Sequence, residues 1–144
     1  MKKSFNILLI EDNAGDALLI KKAMKDPRFD IRVHVLADGT KVMTYLRGRN
    51  ERDPVQNTDV ILLDLSLPAI SGFEVLKRIK SDPLTKSIPV VVVTGSGMPG
   101  DARIAYELGA AGYFEKPVGF EELRKRLQAF VEFYFDVAKL PTKL

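Results

Sequence analysis

The sequence predicts an α/β fold, a doubly wound five-stranded parallel sheet with helices on both faces. Three observations predict it. Short apolar runs recur at residues 5–10, 31–36, 60–65, 89–94 and 112–114. Amphipathic stretches separate them. Three of the runs are near-continuous in Ile, Leu and Val, as strands are when both sheet faces are covered. Strands alternating with helices imply βαβ units. Right-handed crossovers then make the doubly wound topology the economical one.

Each element has its own signal. After the first run, Ala17, Ile20 and Met24 share one helical face. In the second run His34 lies between Val33 and Val35, a solvent-facing strand position. Ala37-Asp38-Gly39 reads as a loop and helix start, followed by Val42, Tyr45 and Leu46 on one face. Ser71-Gly72 precedes a third helix carrying Val75, Leu76 and Ile79, and Asp82-Pro83 stops it. Asp101 is placed to cap a fourth helix with Ile104, Ala105 and Leu108 on one side, and Gly109 ends it. Phe120, Leu123, Leu127 and Val131 mark the last helix. Met24, Met43 and Met98 read as fillers of core or surface.

Composition narrows the function. The 144 residues suit one domain, burying roughly 68–70% of the unfolded surface. Absence of cysteine excludes disulfides and thiolate metal sites, and a single histidine leaves little for a zinc site. The 22 basic and 19 acidic residues are interspersed, with no recognition-helix pattern, so no direct nucleic-acid partner is expected. Lys2-Lys3 before an apolar run imitates a secretory signal, but Glu11-Asp12 follow at once. No segment nears the roughly 20 apolar residues of a bilayer span. The expected location is the cytoplasm, without membrane association.

Ligands of open α/β sheets bind beyond the carboxyl ends of the strands. The first run ends in Glu11-Asp12, the third in Asp64, the fourth in Thr94-Gly95-Ser96 and the fifth in Lys116-Pro117. Four strands therefore bring three carboxylates, a hydroxyl and an ammonium to one edge. Unit charges ~4 Å apart repel by about 4 kcal/mol at an effective dielectric of 20, so protonation or a cation must relieve them. A hard divalent ion fits, and Mg²⁺ takes carboxylates, waters and a phosphate. Asp64 interrupts an apolar run. It reads either as a strand-end residue capping a turn or as a nucleophile able to form an acyl phosphate. Thr94 would then hydrogen-bond a phosphate oxygen, with room left by Gly95.

At these residues the sequence resembles the receiver domains of two-component response regulators. The matching pieces are Ile10-Glu11-Asp12-Asn13, Leu63-Asp64-Leu65-Ser66-Leu67-Pro68 with Gly72, Val93-Thr94-Gly95-Ser96, Gly109-Ala110 and Tyr113-Phe114-Glu115-Lys116-Pro117. The resemblance spans residues 5–130. It implies the flavodoxin-like strand order 2-1-3-4-5, and phosphorylation of Asp64 by a sensor histidine kinase. It implies Mg²⁺ held directly by Asp12 and Asp64, by Glu11 through water, and by the backbone carbonyl of Ser66. Lys116 would pair with Asp64 at rest and contact phosphate afterwards. Thr94 and Tyr113 would be the switch pair, altering a surface read by a downstream protein the sequence does not name. Lys116-Pro117 would be cis. Ser66 and Ser96 occupy positions that tune phosphate lifetime in the family.

The chain is similar to the single-domain subtype, with a receiver unit over 1–130 and a tail over 131–144. More narrowly it is similar to the response regulators of cyanobacterial and other bacterial phytochromes. The shared features are a long 47–58 connection, Ser81-Asp82-Pro83 with Ile88-Pro89-Val90-Val91-Val92, and an ending with Leu140-Pro141. Near the C-terminus, Leu127, Val131 and Tyr134 form one helical stripe facing the sheet. Phe133 and Phe135 should point elsewhere: either the helix is buried on two sides or these are scattered surface apolars, or, with Val137 and Leu140, they form a homodimer interface.

Three other functions fit less well. A Mg²⁺-dependent aspartyl-phosphate phosphatase generally needs an acid two residues after the nucleophile, where Ser66 stands. A phosphate-independent pseudo-receiver would not need the full set Asp12, Asp64, Thr94 and Lys116. A flavin carrier would not place Glu11-Asp12 at its phosphate loop.

Overall fold

The structure, a computed structural model, describes residues 2–48, 57–95 and 97–143. Among these, the strands are β1 (Lys3–Ile10), β2 (Phe29–Leu36), β3 (Val60–Leu63), β4 (Val90–Thr94) and β5 (Gly112–Glu115). They form one parallel sheet in the order β2-β1-β3-β4-β5, as expected. Between and after them lie α1 (Ala14–Ala23), α2 (Val42–Arg47), α3 (Gly72–Ser81), α4 (Asp101–Glu107) and α5 (Phe120–Val131).

Strand parity divides the core in two. Phe5, Ile7, Leu9, Val60, Leu62, Val91 and Val93 face α1 and α5, meeting Ala17, Ile20, Leu123 and Leu127. Their neighbours Leu8, Ile10, Ile61, Leu63, Val90 and Val92 face α2, α3 and α4, meeting Val42, Leu46, Val75, Leu76, Ile79 and Ala105. Both layers are buried, which is why the runs 7–10, 60–63 and 90–93 are apolar at every position rather than alternating. His34 is exposed and stacks on Tyr45, with ring centroids 4.5 Å apart.

The caps agree with the sequence except at α4. Ser71 Oγ accepts from Glu74 N at 3.2 Å, and Asp38 accepts from Thr40 N at 2.9 Å at the head of a short 3₁₀ turn, Gly39–Lys41. Gly109 takes φ 103°, the left-handed value that ends a helix. At α4 the cap is Gly100, at φ 90°, not Asp101. Asp101 is already helical, and its carboxylate accepts from Met98 N at 3.0 Å, closing the preceding turn instead.

The tail departs from expectation more deeply. Beyond α5 the chain widens into a π-helical stretch, Glu132–Val137, closed by Ala138 N donating to Phe133 O five residues back. The wider turn rotates Phe135 inward. It stacks on Phe5 at 4.1 Å and packs edge-on to Phe29 and Phe130. Phe135 is therefore 3% exposed and Leu140 2%, whereas Phe133 is 52% and Val137 66%. Phe135 and Leu140 do not belong to an open face. Buried Asp59 holds the end of the chain: it accepts from Asn6 N at 2.8 Å and from the Thr142 hydroxyl, with Lys143 Nζ 3.7 Å away. Most of the 47–58 connection lies outside the described residues.

Candidate functional site: an acidic pocket at the strand ends

Register places the pocket. Ile10 pairs with Leu63 and Leu63 with Val92, so the residues that follow, Glu11 and Asp64, leave adjacent strands side by side. Backbone bonds continue past the strands: Asp64 N donates to Ile10 O at 3.0 Å and Lys116 N to Thr94 O at 2.8 Å. The third apolar run ends as a strand at Leu63 rather than at residue 65, because the chain turns to meet α3. That helix passes so close that a Cβ on Gly72 would clash with the Asp64 carbonyl oxygen and Leu65 Cα. Only glycine admits the approach.

Glu11, Asp12 and Asp64 each offer an oxygen within 4.8 Å of the others, a group of all-oxygen donors suited to a hard cation. Glu11 and Asp64 are buried and Asp12 is exposed, so the group opens to solvent on one side. Asp64 Oδ1 accepts from Ser66 N at 3.0 Å. Lys116 Nζ donates to Glu11 Oε2 at 2.7 Å, Asp16 Oδ2 at 2.9 Å and Asp64 Oδ2 at 3.2 Å. An ammonium has three protons, and all three are matched.

Burial pushes the Glu11 carboxyl up to about 7; the Lys116 hydrogen bond opposes this, and its bond with Asp64 and that group's charge reinforce it. For Lys116, burial disfavours the charged form, but the hydrogen bonds to Glu11 and Asp16 outweigh it and hold the ammonium above its ordinary value.

Thr94 is fully buried, and its Oγ1 has no hydrogen-bond partner among the described residues. Leaving such a hydroxyl unmatched costs about 1–3 kcal/mol, so the site holds a donor waiting for an acceptor. Tyr113 is half-buried against the α2–α3–α4 layer. Burial raises its phenol, as do the charges of Asp101 and Glu115. Ser96 lies outside the described residues. Among those described no peptide bond is cis, so the expected cis Lys116-Pro117 is not found. The bond is trans, the form an X–Pro pair favours by about 0.5–1 kcal/mol, and Lys116 bonds Glu11, Asp16 and Asp64.

Asp16 was not foreseen. Three residues after Asn13 at a helix start, it reads as an ordinary first-turn acid, and no sequence signal separates that role from a reach to Lys116.

Residues 7–128 match the family described as the response regulator receiver domain. The chain belongs to this family. Among its relatives, the response regulator Rcp1 of Synechocystis sp. is 36% identical over 135 residues, 94% of this chain and 92% of Rcp1. The probable methanogenesis regulatory protein FilR2 of Methanothrix harundinacea is 37% identical over 95% of this chain and 88% of its own length. The phosphorylated cyanobacterial phytochrome response regulator RcpA superposes with a TM-score of 0.87 at 38% identity, covering 98% of this chain and 99% of RcpA. A Mn²⁺-bound form of Rcp1 superposes at 0.84, covering 95% of this chain and 99% of that one. This receiver domain is thus similar along nearly its whole length to phytochrome-associated response regulators.

Proposed function

We propose that this receiver domain is a phosphoryl-accepting switch modified on Asp64. The observation that carries the reading is the Lys116 ammonium 3.2 Å from Asp64 Oδ2, within a set of three carboxylates that share one small volume. A carboxylate oxygen of Asp64 forms the new P–O bond as the donor's P–N bond to a histidine breaks. The imidazole nitrogen leaves with the electron pair and regains a proton from solvent. Glu11, Asp12, Asp64 and the backbone carbonyl of Ser66 would hold Mg²⁺, whose charge would neutralise the transferring phosphoryl group. Lys116 neutralises a further oxygen. The Thr94 hydroxyl gains the acceptor it lacks at rest, and its movement frees space that the Tyr113 ring enters. The only chemistry in this reading is on the chain itself, with no separate substrate turned over.

The phosphodonor is a sensor histidine kinase. Its identity as a phytochrome is supported by what RcpA is, a phytochrome response regulator. A kinase that draws on ATP places the partners in the cytoplasm; among the described residues no helix is long and apolar enough to cross a membrane. We divide the chain into a receiver unit, 1–130, and a tail, 131–144. A homodimer would use exposed Phe133 and Val137.

Incubation with Mg²⁺ and acetyl phosphate, followed by intact-mass measurement, tests the reading. The wild-type chain should gain one phosphoryl group and Asp64→Asn none. No gain, or a gain that survives Asp64→Asn, overturns it.

A further inference from the structure

Asp16 lies outside the three-carboxylate group yet shares its ammonium. Asn13 caps α1, and its side chain accepts from Asp16 N at 2.9 Å. Asp16 is the third helical residue, the position from which an acid folds back to the N-cap N–H. Here that N–H is already bonded to Glu11 Oε1 at 3.2 Å. The Asp16 carboxylate is therefore released from its local role. It crosses to Lys116, on the loop between β5 and α5, and closes the outer side of the pocket.

The three acceptors on Lys116 are not equivalent. Glu11 and Asp64 belong to the group suited to a cation, and Asp16 does not. Once a cation and a phosphoryl group occupy the pocket, the electron pairs of Glu11 and Asp64 are engaged elsewhere. A cation there would repel the ammonium, and the attractions left to it would be a phosphoryl oxygen and Asp16. Asp16 is the one carboxylate bonded to Lys116 that the cation group does not claim. Building on the phosphoryl-acceptor reading above, we infer that Asp16 is a positioning residue, keeping the Lys116 ammonium beside Asp64 while Glu11 and Asp64 are otherwise occupied. A bystander charge would act in the opposite sense: removing an anion near an anionic donor should speed transfer, whereas losing a positioning anion slows it.

Asp16→Asn is near-isosteric and leaves the Asn13 cap in place. The full chain is phosphorylated with acetyl phosphate at saturating Mg²⁺ in wild-type and Lys116→Met backgrounds. Asp16→Asn should lower the maximal rate about three- to tenfold in the wild-type background, less than the roughly 10²-fold of a full 1 Å misplacement because Lys116 keeps its other partners. It should not slow the Lys116→Met chain, and Asp16→Glu should recover part of the lost rate. A second readout needs neither metal nor donor. Nitrogen-15 NMR of the metal-free chain should show the Lys116 ammonium, its protons held, in wild type, and lose it to exchange in Asp16→Asn. An unchanged maximal rate, equal slowing in both backgrounds, or an unaltered ammonium signal overturns the assignment. An Asp16→Asn chain that takes a phosphoryl group as readily as wild type sinks only this inference. A wild-type chain that takes none sinks both readings.

Discussion

Two single side chains make predictions of opposite sign. The Thr94 hydroxyl is buried without a partner among the described residues, so at rest it costs stability that an isosteric methyl would not. Thr94→Val should stabilise the unphosphorylated chain by about 1 kcal/mol in urea unfolding. A destabilisation of that size would mean the hydroxyl is matched in solution. Asp82, at the exit of α3, is fully matched. Its carboxylate accepts from Leu84 N at 2.8 Å and from Arg47 Nε at 2.7 Å, and these bonds hold it below its ordinary value of 3.8. A carboxyl whose folded value is depressed adds stability above its unfolded value and loses it as pH falls through the folded one. Acid unfolding should therefore steepen below about pH 4, and Asp82→Asn should flatten that slope. Identical pH profiles for the two chains would refute the role. Both side chains are visible in the sequence as types; that one is orphaned and the other matched on both oxygens follows only from what folding puts beside them.

At the scale of elements, the strands and the caps of α3 and of the 3₁₀ turn were legible, and the tail was not. Apolar runs and Ser71, Asp38 and Gly109 act through local rules that need no distant partner. The stretch Glu132–Val137 follows no such rule. A continued α-helix would leave Phe135 at the margin of the buried stripe, one turn past Val131, whereas one wider turn brings it onto Phe5, far away in sequence. The stacking decides the turn. Phe135→Ala should cost about 3–5 kcal/mol, as for other buried Phe, while Phe133→Ala should change stability by at most about 0.5 kcal/mol. Sedimentation reads the other half of the contrast. If Phe133 anchors a dimer, Phe133→Ala yields a monomer at concentrations where wild type is dimeric; a monomeric wild type, with and without phosphate mimic, removes the dimer.

Over the whole molecule, the pocket gathers three carboxylates at one end of the sheet while the aromatic cluster closes the other. Concentrated negative charge makes the fold responsive to a cation. At a Mg²⁺ concentration 100 times its Kd, binding should add about 2.7 kcal/mol. For a chain of this size that raises Tm by roughly 8 °C. Scanning calorimetry should show the rise in wild type and lose most of it in Asp64→Asn. A Tm indifferent to Mg²⁺ would count against the cation site.

What the sequence by itself determined is the class of fold, the sheet edge at which Glu11, Asp12, Asp64, Thr94 and Lys116 collect, and the resemblance that their order carries. Periodicity, caps and strand-end placement are short-range properties, and a parallel sheet turns them into one edge by topology alone. It took the folded chain to settle that Asp16 shares Lys116, that Thr94 is without a partner among the described residues and that Phe135 and Leu140 are core. The physical reason is the same in each case. These are competitions for partners distant in the chain, and local sequence rules cannot rank acceptors or ring faces that folding has yet to bring together.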